Sequence, residues 1–202
     1  MHVAHLTTVH HPQDPRIFHK QCKTLRDAGY TVHLVAQRNA SATVDGIRVH
    51  ALPMVKGRLA RLRLQPLMYR AARSIPAAVY HIHDPELIPL LWLLKRTTGA
   101  SAIYDMHEDY RGHGPVQGRL LRAMERWCFQ WVDHVVYANA AHRSVVVHAS
   151  VPATRIPNYP VAPKQQAAAP RAVPKRVLYT GVMADRGGRG LSNLIALARH
   201  LH

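Results

Sequence analysis

The stretch from Val79 to Asp109, VYHIHDPELIPLLWLLKRTTGASAIYDMHED, constrains the fold of this chain more than any other. An apolar run, Ala77 to Tyr80, leads into the polar tip His81-Ile82-His83-Asp84-Pro85-Glu86. A helical run follows. A second apolar run, Ala102 to Tyr104, leads into Asp105-Met106-His107-Glu108-Asp109. Strand, tip, helix, strand, tip is the repeating unit of a parallel sheet. In such a sheet both tips lie at the carboxyl ends of their strands, the edge where open sheets bind ligands. The chain holds only 11 Asp and Glu, and five of them (Asp84, Glu86, Asp105, Glu108 and Asp109) sit in these tips beside His81, His83 and His107. Solubility does not require that concentration, so the tips are the candidate site.

The rest of the chain repeats the unit. Val3 to Leu6 reads as a buried strand, and Thr7 to Pro15 as a loop. Arg16 to Ala28 reads as a helix on the spacing of Phe18, Cys22 and Leu25, stopped by Gly29. Val32 to Ala36 and Ile47 to Leu52 are further strands, with Asp45-Gly46 as a turn before the second. Leu120 to Trp131 carries an amphipathic stripe of Leu121, Met124, Cys128 and Trp131, and His134 to Ala138 and Ala140 to Ala149 form one more strand and helix. The Pro- and Ala-rich run that follows reads as a linker. The expected organisation is an α/β, Rossmann-like parallel sheet with helices on both faces over residues 1–160, a linker over 161–175, and the first β–α unit of a second domain over 176–202.

Charge narrows the partners. Lys and Arg number 27 against the 11 acids, giving a formal net charge of +16. That balance favours anionic partners. The segment Lys56 to Arg73 has six basic residues, no acid, and Leu59 and Leu62 set among Arg58, Arg61 and Arg63. It reads either as a basic amphipathic helix on an anionic membrane surface or as a sheet-covering helix with a solvated basic face. Tyr69 is the only aromatic residue in it, which argues against stacking-based nucleic-acid binding. The start Met1-His2-Val3-Ala4-His5 lacks the basic and apolar regions of a signal peptide, and no apolar run reaches membrane-spanning length. Cys22 and Cys128 fall on apolar stripes, as buried thiols in a reducing cytoplasm do.

Three signals carry chemistry, two of them in the tips. His81, His83 and Asp84 can chelate a metal, with His107, Glu108 and Asp109 adding ligands, which is the reading of a metal-dependent hydrolase. Histidine beside carboxylates can instead orient a hydroxyl substrate, and carboxylate oxygens accept from sugar hydroxyls. Between an apparent strand and helix, Gly181 to Gly190 (GVMADRGGRG) has glycines and Arg186 and Arg189 placed to hold a phosphate.

The order HHPQDPRIFHK, VYHIHDPELIPL, IYDMHED, IPNYP and VLYTGVMADRG resembles the nucleotide-sugar glycosyltransferases of family 4, the retaining group-1 enzymes of GT-B fold, above all bacterial members that build surface polysaccharides. The resemblance implies two Rossmann-like domains facing a cleft, the first binding mainly a hydroxyl acceptor and the second a nucleotide-diphosphate sugar. It implies transfer without a metal or other cofactor. It gives His107 a catalytic place near the transferred sugar, and makes His83, Asp84, Glu86, Glu108 and Asp109 acceptor-side residues. His11 and Asp14 belong to the first-strand loop, Thr8 to Asp14, under the donor phosphates or acceptor. Arg186 and Gly187 match the pair that holds the donor pyrophosphate. The acceptor expected is a surface glycan or lipid-linked precursor, on the cytoplasmic side of the membrane. The family's paired glutamates lie beyond the position of His202, so the chain is expected to be incomplete and inactive alone. A non-catalytic binding remnant of the same fold is the alternative.

Overall fold

The computed structural model describes residues 1–107, 115–159 and Ile195. Contacts divide the chain into two compact units, Met1–Tyr159 and Pro160–His202. The anticipated linker and the β–α unit over 176–202 lie outside the described residues, as do Glu108, Asp109, Arg186 and Gly187.

The first unit is an eight-stranded sheet in the order β3-β4-β2-β1-β5-β6-β7-β8. Its strands are β1 His2–Leu6, β2 Thr31–Gln37, β3 Ala42–Val44, β4 Ile47–Leu52, β5 Val79–Ile82, β6 Ser101–Met106, β7 His134–Tyr137 and β8 Ala153–Arg155. Every neighbouring pair is parallel except β3–β4, a hairpin closed by Asp45 and Gly46, both at positive φ. The chain winds outward from β1 through β2 and β4, then returns and winds the other way from β5. The reversal between β1 and β5 is the switch point at which open α/β sheets form their ligand crevice.

Period-two alternation assigns the faces. Val32, Leu34 and Ala36 of β2 pack with Ile17, Phe18 and Cys22 of helix α1, residues 15–27, on one side. Ala4, Leu6, Tyr80, Ile82, Ala102 and Tyr104 turn to the other side, against α3 Gln65–Arg73, α4 Ile88–Thr98, α5 Pro115–Cys128 and α6 Arg143–His148. From α4, Ile88, Leu90, Leu91 and Leu94 are buried, each worth about 1.5–3 kcal/mol of transfer free energy. Gly99, at φ 72°, closes α4 with its N–H on the Lys95 carbonyl. Cys22 and Cys128 are both free and buried, and burial pushes both thiols far up. Among the described residues no helix is long and apolar enough to cross a membrane.

Two elements differ from the expectation. Helix α1 opens with π-helical turns over Pro15–Cys22 before continuing as an α-helix over Lys23–Asp27. The Lys56 to Arg73 segment is two helices, α2 Arg58–Arg63 and α3, because Pro66 cannot donate within a continuous helix.

A histidine row crosses the amino-terminal half of the sheet. His2 Nδ1 lies 3.0 Å from His33 Nε2, and His33 Nδ1 lies 2.9 Å from His50 Nε2. Burial, then the neighbouring His50, His2 and Arg48, lower His33 to about 4, and burial and Arg48 lower His50. A folded pKa below the unfolded value of about 6.5 means that the unfolded chain binds more protons between those values. Stability from this row is therefore complete above pH 6.5 and declines as pH falls toward 4. The slope from His33 is at most about 1.4 kcal/mol per pH unit, and less to the extent that solvent reaches the sheet edge. Urea titrations at pH 7 and pH 5 should show the decline, and His33→Leu should flatten it. An unchanged slope in that variant would place the acid sensitivity elsewhere.

Candidate functional site

Three segments meet at the carboxyl ends of β1, β5 and β6: the first loop, the tip after β5, and His107 after β6. Asp84 organises the meeting. Its Oδ2 accepts from Thr7 Oγ1 at 2.9 Å, from the Thr8 N–H at 2.5 Å, and from Thr8 Oγ1 and the Val9 N–H at 3.3 Å. Asp84 is buried, and burial raises its carboxyl, opposed by His10 and by the Thr8 and Thr7 donors. The sequence reading set Asp84 in the cleft as an acceptor-side group. The structure makes it the internal post around which the first loop turns.

Glu86 lies at the edge of the same loop. Its Oε1 accepts from Thr8 Oγ1 at 2.6 Å and from Arg61 Nε at 2.9 Å. Arg61, one of the basic residues considered for membrane contact, thus turns inward to the cleft edge.

The first loop carries a cap as well. Asp14 Oδ1 accepts from the N–H groups of Arg16 and Ile17, starting α1. Burial would raise Asp14, but its bonds from His10, Ile17 and Arg16 hold it well below the usual carboxylate range. His11 is exposed, and its Nδ1 accepts from the Gln13 N–H. Its neighbour His10 is the histidine that enters the site. His10 Nδ1 is 3.6 Å from Asp14, and His10 Nε2 is 3.4 Å from Asp84 Oδ1 and 3.2 Å from His107 Nε2.

His107 Nδ1 lies 3.2 Å from the Asp105 carbonyl oxygen, an acceptor only, so this nitrogen carries the proton. Nε2 of His107 is then the acceptor, and His10 donates to it. A substrate hydroxyl can take the place of that His10 donor.

Beneath this pair lies a buried anchor that the sequence reading did not identify. Arg16 grips Asp105 with two bonds, Nε to Oδ2 at 2.9 Å and Nη2 to Oδ1 at 2.7 Å. Gln21 Nε2 donates to Asp105 Oδ2 at 2.7 Å, and His83 Nδ1 lies 3.2 Å from the same oxygen. Burial would raise Asp105, yet His107, His83 and Arg16 hold it well below the usual range. Arg16 also donates to the Ile156 carbonyl at 2.8 Å, joining α1 to the segment after β8. His83 is fully engaged here, with Nδ1 on Asp105 and Nε2 at 2.9 Å from His5 Nδ1, so it supports the site from within rather than facing an acceptor. The sequence offered Asp105 as the first residue of a polar tip, and the structure sets it inside β6, Ser101–Met106.

Residues 15–161 match the family model of the glycosyl transferase 4-like domain. The chain belongs to this family. The match begins at Pro15, so the site's β5 and β6 tips lie within the glycosyl transferase 4-like domain and the loop from Thr7 to Asp14 precedes it. A solved sucrose-phosphate synthase from Thermosynechococcus elongatus is similar in fold, with a TM-score of 0.62 at 12% identity, covering 77% of this chain and 47% of that one. The chain thus spans about half the length of that enzyme. A shorter form of the same synthase gives 0.59 at 13% identity, covering 78% of this chain and 88% of its own. At such identities the likeness establishes the GT-B, Rossmann-like fold. No curated protein sequence matches the chain.

Proposed function

We propose that this chain is the acceptor-side domain of a retaining glycosyltransferase that moves a sugar from a nucleotide-diphosphate donor to a hydroxyl acceptor. The observation that carries this reading is the His10–His107 pair, 3.2 Å apart at the carboxyl end of the β1/β5 switch point. His107 contacts the transferred sugar through Nε2, while His10, held between Asp14 and Asp84, sets the loop that faces it. Asp84 and Glu86 act by shaping the loop. Transfer requires no metal in this reading, because a hydrogen-bonding histidine and a donor-phosphate site supply the charge stabilisation. Arg186 and Gly187 are the proposed donor-phosphate residues, and Glu108 and Asp109 complete the acceptor side.

The acceptor class is a lipid-linked glycan precursor at an anionic membrane surface. Leu59 and Leu62 of α2 are exposed among basic residues, beside a groove of about 560 Å³ lined mainly by Leu62, Pro66, Tyr69, Pro89, Leu90 and Leu93, with Gln65 and Glu86 as its polar members. One experiment addresses donor, acceptor and membrane together. The full-length gene product, given nucleotide-sugars and a lipid-linked acceptor in anionic vesicles, should transfer sugar with retained anomeric configuration and co-sediment in a salt-sensitive way. Each basic residue at the surface contributes on the order of 1 kcal/mol to that binding. Release of free sugar without transfer would favour a hydrolase, and equal sedimentation with neutral vesicles would remove the membrane from the account.

A further inference from the structure

A second cluster of histidines lies on the α1 side of the sheet, behind the cleft. His5 of β1 and His81 of β5 are register partners on adjacent parallel strands, and His83 follows two residues on. All three are buried. Their ring centroids are 4.6–5.2 Å apart, and one nitrogen from each lies within 4.8 Å of the other two. The Nε2 atoms of His5 and His81 are buried and have no hydrogen-bond partner among the described residues. A buried polar atom without a partner costs free energy, and two of them side by side ask for an explanation.

Proton placement is fixed from one end. Asp105 accepts only, so His83 Nδ1 carries the proton that points to it, leaving a lone pair on His83 Nε2. His5 Nδ1, 2.9 Å away, donates to that lone pair, and His5 Nε2 is left with a lone pair of its own. Turning His5 about its side-chain bonds to present Nε2 breaks that hydrogen bond and frees the His83 lone pair, so neutral imidazoles then stand together, backed by a carboxylate that orients His83. That is the carboxylate–histidine–metal arrangement found around zinc.

We propose that His5, His81 and His83 form a site for a divalent transition-metal ion of the zinc class, with Asp105 orienting His83. Three imidazole nitrogens select zinc, cobalt, nickel or copper over magnesium or calcium, which take oxygen ligands. Ligands about 2.0–2.1 Å from a tetrahedral ion stand roughly 3.3 Å from one another, within reach of these rings by side-chain rotation. A cavity of about 410 Å³, lined in part by His5, His81, Lys20, Gln21 and Thr24, opens onto two of the ligands and supplies the entry path and the fourth position. Among the described residues a second three-residue cluster, His83, Asp105 and His107, suits a cation less, because Arg16 already occupies the Asp105 carboxylate. The proposed ion pins β1 to β5 below the cleft and takes no part in sugar transfer. It differs from the metal set suggested by the sequence, since Asp84 and His107 are not ligands.

Chelator-treated protein dialysed against cobalt(II) or zinc, then desalted, tests this by metal analysis and visible absorption. The expected result is one equivalent per chain, the intense cobalt bands of a tetrahedral nitrogen site, and a raised melting temperature with metal. His81→Gln and His5→Gln should each lose the retained equivalent, whereas His107→Ala should keep it. Circular dichroism identifies variants that fail to fold, and for those the wild-type cobalt spectrum decides. No retained metal, weak octahedral cobalt bands, or retention equal to wild type in folded His81→Gln would overturn the proposal, as would loss in His107→Ala.

Discussion

Replacing Arg16 by leucine is expected to destabilise the first unit by about 3–5 kcal/mol, the usual cost of stripping one partner from a buried ion pair. Both groups are buried, and the two bonds of the guanidinium fork fix Asp105 from a helix 89 residues away in sequence. In the variant the carboxylate keeps Gln21 and the neutral rings of His83 and His107, but no fixed cation. The chain must then either leave a charge uncompensated or protonate a group now held far below its ordinary range. Urea unfolding should show the loss as a lower midpoint with little change in slope. Arg16→Leu with Asp105→Leu should cost less than the sum of the two single changes, because neither charge is then left alone. A cost below about 1 kcal/mol for Arg16→Leu would mean that water or another group already satisfies Asp105.

The Arg16–Asp105 pair also marks what sequence reading reaches. The strands at 3–6, 32–36, 47–52, 77–80, 102–104 and 134–138 are legible because buried parallel strands are short apolar runs between helical patterns, although β5 and β6 each run two residues further into the polar tips, to Ile82 and Met106. The three-residue strands Ala42–Val44 and Ala153–Arg155 are not, since both are edge pieces with no buried face to impose a pattern. The polar tips stand out because acids are scarce in this chain. Which tip residues point outward is a different matter. His10 and His11 are adjacent and chemically identical, and only the turn around Asp84 sends His10 to His107 while leaving His11 in solvent. Asp84 and His83 read as site residues on type and position, yet their partners are Thr7, Thr8 and His5 on β1 and the loop that follows it. Such pairings lie more than 70 residues apart and leave no periodic trace. The π-helical opening of α1, which brings Arg16 and Gln21 onto one carboxylate, is likewise invisible in helical spacing.

The central claim is that the His10–His107 pair faces the sugar undergoing transfer. Its most direct measurement is the transfer rate of the full-length gene product and of its His107→Ala variant, at saturating donor and acceptor. A histidine whose Nε2 receives a substrate hydroxyl in the transition state contributes about 10²- to 10⁴-fold. The account predicts a fall of that size in kcat for His107→Ala protein that circular dichroism shows to be folded. Transfer undiminished in a folded His107→Ala protein would contradict it.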